Sequence, residues 1–210
     1  MSKKYSYFFI FSILVFFFLF VSSSYLNTSD NIHQQGFNTK YNVYSVLKPA
    51  DLKFANEKVP NISHDVWERL DKELLKNIYW QSNTMLYFKR ANKYFPIIED
   101  ILAKNNIPDD FKYLALIESG FEYTVSPSGA AGFWQIMRGT AREYGLEVNY
   151  AIDERYNLKK STEAACKYLK KAYQEFGSWT MAAAAYNMGI NGVRRNIKKQ
   201  GTNNYFNLHL

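Results

Sequence analysis

One cysteine and three histidines are all the thiol and imidazole ligands in this chain of 210 residues. A lone Cys166 has no partner for an internal disulfide, so stability has to come from the core. It lies in Thr162-Glu163-Ala164-Ala165-Cys166-Lys167-Tyr168-Leu169, a helical pattern in which cysteine serves as a small buried hydrophobe. Neither Cys166 nor His33, His64 and His209 stands at metal-ligand spacing, so no metal site and no cofactor are expected. Strand signals are few and no internal repeat is evident, which leaves a mainly helical reading. No cysteine follows the N-terminal apolar stretch, which argues against a lipoprotein.

Aromatic residues, by contrast, make up 18% of the chain, with 17 Tyr and 16 Phe. Part of that excess is the run from Phe8 to Val21, preceded by Lys3 and Lys4 and followed by Ser22-Ser23-Ser24. A positive start, an apolar stretch and small residues describe an export segment, residues 1–24, either a cleaved signal or a retained anchor. In both cases everything after Tyr25 is exported, to the periplasm or cell envelope. The formal net charge of +7 suits anionic partners, but Lys3, Lys4, Arg194, Arg195, Lys198 and Lys199 concentrate it at the two ends. Charge alone would suggest a nucleic-acid binder; the export segment and the lack of a basic recognition element argue against one.

Residues 25–55 are rich in Asn, Ser, Thr and Gln without sustained periodicity, and are expected to form a flexible linker. A single helical domain is expected over 56–210. Its first helix follows Ser63 as N-cap, with Val66, Leu70, Leu74 and Ile78 on one face. A second covers Met85 to Tyr94 and is interrupted by Pro96, and a third runs from Ile97 to Lys104. Asp109 or Asp110 can cap the next, which carries Glu118. Beyond the small-residue loop Ser126 to Gly132, helices are expected over 140–144, 161–176 and 178–187.

Glu118 ends the apolar run Tyr113-Leu114-Ala115-Leu116-Ile117 and precedes Ser119-Gly120. A carboxylate so placed is either a helix end pointing into water or a partly desolvated acid with a raised pKa. Two later segments tip the balance: Gly132-Phe133-Trp134-Gln135-Ile136-Met137 and Ala184-Ala185-Tyr186-Asn187-Met188-Gly189. In this order the three resemble the Glu-Ser, Gly-Leu-Met-Gln and Ala-Tyr-Asn motifs of the soluble-lytic-transglycosylase domain, whose fold is lysozyme-like. Gly132 to Arg142 is closer still to the membrane-bound lytic murein transglycosylase D branch. The resemblance spans about residues 54–200. Arg138 departs from it where proline is usual, as does Met188 where alanine or serine is usual, and the closing segment is expected to be shortened.

The resemblance implies a mainly α member of the lysozyme-like α+β superfamily, with a substrate cleft and little or no β-sheet. It implies a monomer whose partner is peptidoglycan glycan strands, with the membrane as a further partner where the N-terminal segment is retained. Glu118 would act as the single catalytic acid, then base, leaving 1,6-anhydro-N-acetylmuramic acid. Tyr186 would place its hydroxyl beside the acid, and Gln135 would hydrogen-bond the sugar. Asn187 would bind substrate or finish its helix, and Ser119 would bond backbone or substrate. Gly132 would admit a sugar ring or simply turn the chain. Glu122 is expected to be solvated and Asp153 to pair with Arg155. The rivals are a goose-type lysozyme, which needs a second usable acid, and a non-catalytic wall-binding protein.

Overall fold

The computed structural model describes residues 46–60 and 63–208. The export segment and the expected linker up to residue 45 lie outside the described residues. Seven α-helices are present among the described residues: α1 (His64–Tyr79), α2 (Gln81–Lys104), α3 (Phe111–Ser119), α4 (Arg138–Glu143), α5 (Leu158–Phe176), α6 (Trp179–Met188) and α7 (Ile190–Gln200). Short 3₁₀ turns, η1 (Glu154–Tyr156) and η2 (Tyr205–Asn207), precede α5 and follow α7. The only sheet among the described residues is the hairpin β1 (Lys53–Phe54) and β2 (Glu57–Lys58). The mainly helical expectation therefore holds.

α5 and α6 pack as neighbours because their facing positions are small. Ala164, Ala165, Cys166 and Ala172 of α5 and Ala182, Ala184 and Ala185 of α6 are all buried. Both helices have the caps their sequence supplies: Asn157 accepts from Lys160 N and Ser178 from Met181 N. Gly177, left-handed at φ 68°, ends α5. Cys166 is fully buried and its thiol is pushed up to about 12, first by burial, so it packs as an inert hydrophobe.

Three local expectations are corrected. α2 runs unbroken through Pro96. An interior proline costs about 3 kcal/mol. Burying Ile98, Ile101 and Leu102 on the same helix returns about 1.5–3 kcal/mol each, which outweighs it. Ser63 takes the N-cap position without a side-chain cap, and of its stripe only Val66 is buried while Ile78 is 48% exposed. Asp109 and Asp110 cap nothing: Asp109 pairs with Lys112 at 2.5 Å, and Asp110 Oδ2 accepts from Ala55 N at 3.0 Å.

That last bond fastens the β-hairpin, so Lys53 to Ala55, expected as linker, belong to the folded unit. Ala55 and Asn56 turn the hairpin with φ of 51° and 64°. Phe54 meets the Phe111 ring at 5.3 Å, and Phe111 meets Trp179 at 5.5 Å. Glu57 caps α6 from outside. Its carboxylate accepts from Trp179 N (2.5 Å), Thr180 N (3.0 Å), Ser178 Oγ (2.8 Å) and the Thr180 hydroxyl. Burial pushes this carboxyl up, but the hydrogen bonds from Thr180, Ser178 and Trp179 together hold it below its ordinary value.

A carboxylate depressed in the folded state stabilises above its unfolded pKa and loses that contribution as pH falls through the folded one. Glu57→Ala should therefore cost about 2 kcal/mol in urea unfolding at neutral pH. The deficit relative to the parent should shrink as the titration is carried into acid; a pH-independent deficit would assign the loss to packing alone.

Candidate active site

α3 is short and apolar, and Phe111, Ala115 and Glu118 recur at helical spacing on it. Phe111 and Ala115 are fully buried. The acid at the end of that stripe is therefore carried against the core rather than into open water. It remains half-buried, and burial pushes its carboxyl above the ordinary value. No hydrogen bond or ion pair joins Glu118 to another described residue. It lines a cavity of about 510 Å³ with Leu114 and Ile117 of α3, Ala184 and Asn187 of α6, and Tyr205 of η2.

A second cavity of about 170 Å³ adjoins it, with Asn187 in both walls. Gln135, Met137, Tyr144, Tyr168 and Tyr186 line it. Of the six sequence-predicted site residues, Glu118 lines the larger of these cavities, Gln135 and Tyr186 the smaller, and Asn187 both. Ser119 and Gly132 line neither.

Their work lies behind the site. Ser119 Oγ donates to the Phe133 carbonyl at 2.8 Å and accepts from Phe121 N at 3.0 Å. Tyr186 Oη donates to the next carbonyl, Trp134, at 2.7 Å. No hydrogen bond runs from Tyr186 to Glu118; burial raises its phenol well above the usual value, and the nearby Glu118 charge adds to that. Gly132 sits at φ 77°, and a Cβ there would lie 1.9 Å from the Arg155 carbonyl oxygen. Glycine is needed for close approach to the Arg155–Tyr156 backbone, in place of the expected sugar ring. Gln135, also at positive φ (46°), donates through Nε2 to the Gly132 carbonyl at 3.0 Å and the Thr124 carbonyl at 3.1 Å.

Two residues that hold this loop were missed by sequence reasoning. Arg155, 4% exposed, donates to the Gly129 and Ile136 carbonyls at 2.8 and 3.1 Å while its other edge pairs with Asp153 at 2.7 Å. The Asp153–Arg155 pair was legible from the sequence; the distant carbonyls were not. Thr162 accepts from the fully buried Trp134 Nε1 at 2.8 Å, and nothing in its helical pattern announces that partner. Glu122 is exposed as expected but is also paired, at 2.6 Å, with Arg90. Arg138 opens α4 and helps to lower Asp153, after the larger effect of Arg155. Met188 faces the larger cavity.

Comparison with known proteins gives a match to the transglycosylase SLT domain over residues 95–209. Membrane-bound lytic murein transglycosylase D of Escherichia coli K12 is 34% identical over 133 residues, 62% of this chain and 28% of that protein. The same protein from Escherichia coli O6:H1 (strain CFT073) matches equally, so the chain spans little more than a quarter of these relatives. An Alteromonas sp. (strain M-1) protein named for tributyltin chloride resistance is 31% identical over 139 residues, 64% of this chain and 67% of its own.

Two outcomes test this geometry. Gly132→Ala forces a methyl into backbone at a positive φ and should destabilise by about 3 kcal/mol or more in denaturant titration. Glu118→Gln should act oppositely. A carboxyl raised in the folded state favours folding while protonated and weakens it as pH rises past its unfolded pKa. The variant's melting temperature should equal the parent's in acid and exceed it at neutral pH. A difference that does not change with pH would show that Glu118 is not desolvated.

Proposed function

Because this chain belongs to the transglycosylase SLT domain family, we propose that it is a peptidoglycan lytic transglycosylase. It cuts the β-1,4 bond from N-acetylmuramic acid to N-acetylglucosamine and leaves a 1,6-anhydro end, working in the cell envelope. The observation that carries this reading is Glu118: a desolvated carboxyl without a partner among the described residues, and the sole carboxylate lining either cavity.

Protonated Glu118 donates its proton to the glycosidic oxygen as the bond from that oxygen to C1 breaks. The resulting carboxylate takes the proton of the muramic C6 hydroxyl as O6 bonds to C1. Proton and sugar balance, and Glu118 ends as it began. Such ring closure needs no second acid, because a well-oriented internal nucleophile reaches effective molarities of ~10⁵–10⁸ M. Burial that raises the Glu118 pKa keeps the donor form populated closer to neutrality.

Asn187, which lines both cavities, and Gln135, which lines the smaller and keeps its side-chain carbonyl oxygen free for a donor, would hydrogen-bond the sugar. Ser119, Gly132 and Tyr186 are positioning residues, acting through the loop they hold. Hydrolysis by a goose-type mechanism is the weaker reading, since a water-activating carboxylate is wanted. Glu122 is tied to Arg90, Asp153 to Arg155, and Glu57 to the start of α6.

The full chain is to be incubated with purified peptidoglycan and the released muropeptides weighed. Each product should be lighter by one water than its reducing-end counterpart. Glu118→Gln should lower the release rate about 10²–10⁴-fold. The parent rate should fall as pH rises through the elevated Glu118 pKa, because the proton donor disappears. Reducing ends throughout, or a Glu118→Gln chain as fast as the parent, would defeat the proposal.

A further inference from the structure

The junction of α1 and α2 carries apolar side chains that the core leaves exposed. From Trp67 to Arg90 no side chain is buried, although the stretch includes Leu70, Leu74, Ile78, Trp80, Met85 and Phe88. Burial on α2 begins only at Ala91. At the turn and just beyond it, Trp80 is 61% exposed, Met85 58% and Phe88 67%. On α2 these residues share an outward stripe, Gln81, Met85, Phe88 and Asn92, with Lys89 and Lys93 beside it, all of them exposed. The stretch precedes the family match, which begins at Phe95, so the proposed chemistry does not account for it.

Charge identifies the occupant. Between Glu73 and Glu99 the sequence has no acidic residue, while Lys76, Lys89, Arg90 and Lys93 are all cationic. Lys76 is matched by Glu73 and Arg90 by Glu122. Lys93 lies over the Tyr94 ring at 4.9 Å, and Lys89 has no ion pair among the described residues. An exposed Trp and Phe at the junction, with lysines one to four turns behind, is the distribution of an interfacial membrane element. The lysines reach phosphate while the rings enter the headgroup boundary. A second copy seated on the same stripe of α2 would instead set Lys89 and Lys93 against their own counterparts.

We propose that the junction of α1 and α2 docks on a bilayer of anionic phospholipid, Trp80, Met85 and Phe88 entering the interface and Lys89 and Lys93 meeting the phosphates. This stretch also sets a distance. Arg90, which donates to the Gly120 carbonyl at 2.9 Å at the end of the acid helix, lies ten residues from Trp80. At 1.5 Å per residue, docking by the junction holds that helix end at most about 15 Å from the lipid surface. This inference does not depend on the chemistry assigned to Glu118.

Tryptophan emission of the full chain tests it. The chain is reconstituted in vesicles of phosphatidylcholine mixed with phosphatidylglycerol, both carrying brominated acyl chains, which quench only indoles that reach them. Of the other tryptophans, Trp134 is fully buried and Trp179 is packed in the core. Trp67 lies about 20 Å back along α1. The parent should be quenched, Trp80→Phe should remove most of that quenching, and Lys89→Glu with Lys93→Glu should do the same at low ionic strength. Far-UV circular dichroism and the melting temperature of the three-site set in solution serve as the folding control. Quenching that survives Trp80→Phe, or is equally strong in pure phosphatidylcholine, would overturn the proposal. So would an unquenched Trp80, which would show the face covered by another copy or by the chain itself.

Discussion

Two consecutive carbonyls, those of Phe133 and Trp134, hold the site together. Ser119 at the end of the acid helix grips the first and Tyr186 of α6 grips the second. The loop that presents them buries Phe133, Trp134 and Ile136, so its backbone is carried away from water and must find partners in the protein. Each carbonyl left bare would cost about 1–3 kcal/mol. Arg155 and Gln135 satisfy others, and the backbone contact at Gly132 closes the loop against Arg155. One irregular segment is thereby made to join α3, α5 and α6, and the position of Glu118 relative to Asn187 and Gln135 follows from that junction.

The contrast between Glu57 and Glu118 shows how the same side chain is given opposite chemistry. Both are partly buried, and burial pushes both upward. Glu57 meets the N-terminus of α6, whose free N–H groups and flanking hydroxyls supply donors, and the balance falls on the side of the anion. Glu118 ends a helix instead of facing one, where no donor among the described residues offsets its burial. Its carboxyl is left dependent on a proton or on whatever enters the cavity. Under the proposed function, a carboxyl that costs the fold some stability is the expected signature of a residue kept for reaction rather than structure.

The sequence was most readable where chemistry and local pattern coincide. Glu118 lines one cavity and Gln135 and Tyr186 another, with Asn187 in both, and the helices around them follow the apolar period. Reading failed where the partner lies far along the chain. Ser119 bonds a residue 14 positions away, Tyr186 one 52 away and Glu57 one more than 120 away. No periodicity encodes such pairs. Pro96 misled for a related reason: local propensity marks a break, while the burial that overrides it is tertiary. Asp109 and Asp110 carry the right residue type for caps, but a hairpin and a lysine claimed them first.

The stripe Val66, Leu70, Leu74 and Ile78 makes the most general point. Its period is that of a helix with one apolar face, and a helix is what forms. Periodicity records that a face requires a neighbour without saying that the neighbour belongs to the same domain. In α5 the requirement is met by α6 and the core. In α1 and the first half of α2 the core lies out of reach, because burial on α2 starts only at Ala91. From Leu74 to Ile98 the chain has aromatic residues and no acid, and much of its apolar surface is left facing out. The surface that satisfies both its apolar and its cationic character is an anionic interface. The proposed chemistry and the proposed placement thus rest on separate segments: the first on a loop gripped by two side chains, the second on a stretch that the core leaves uncovered.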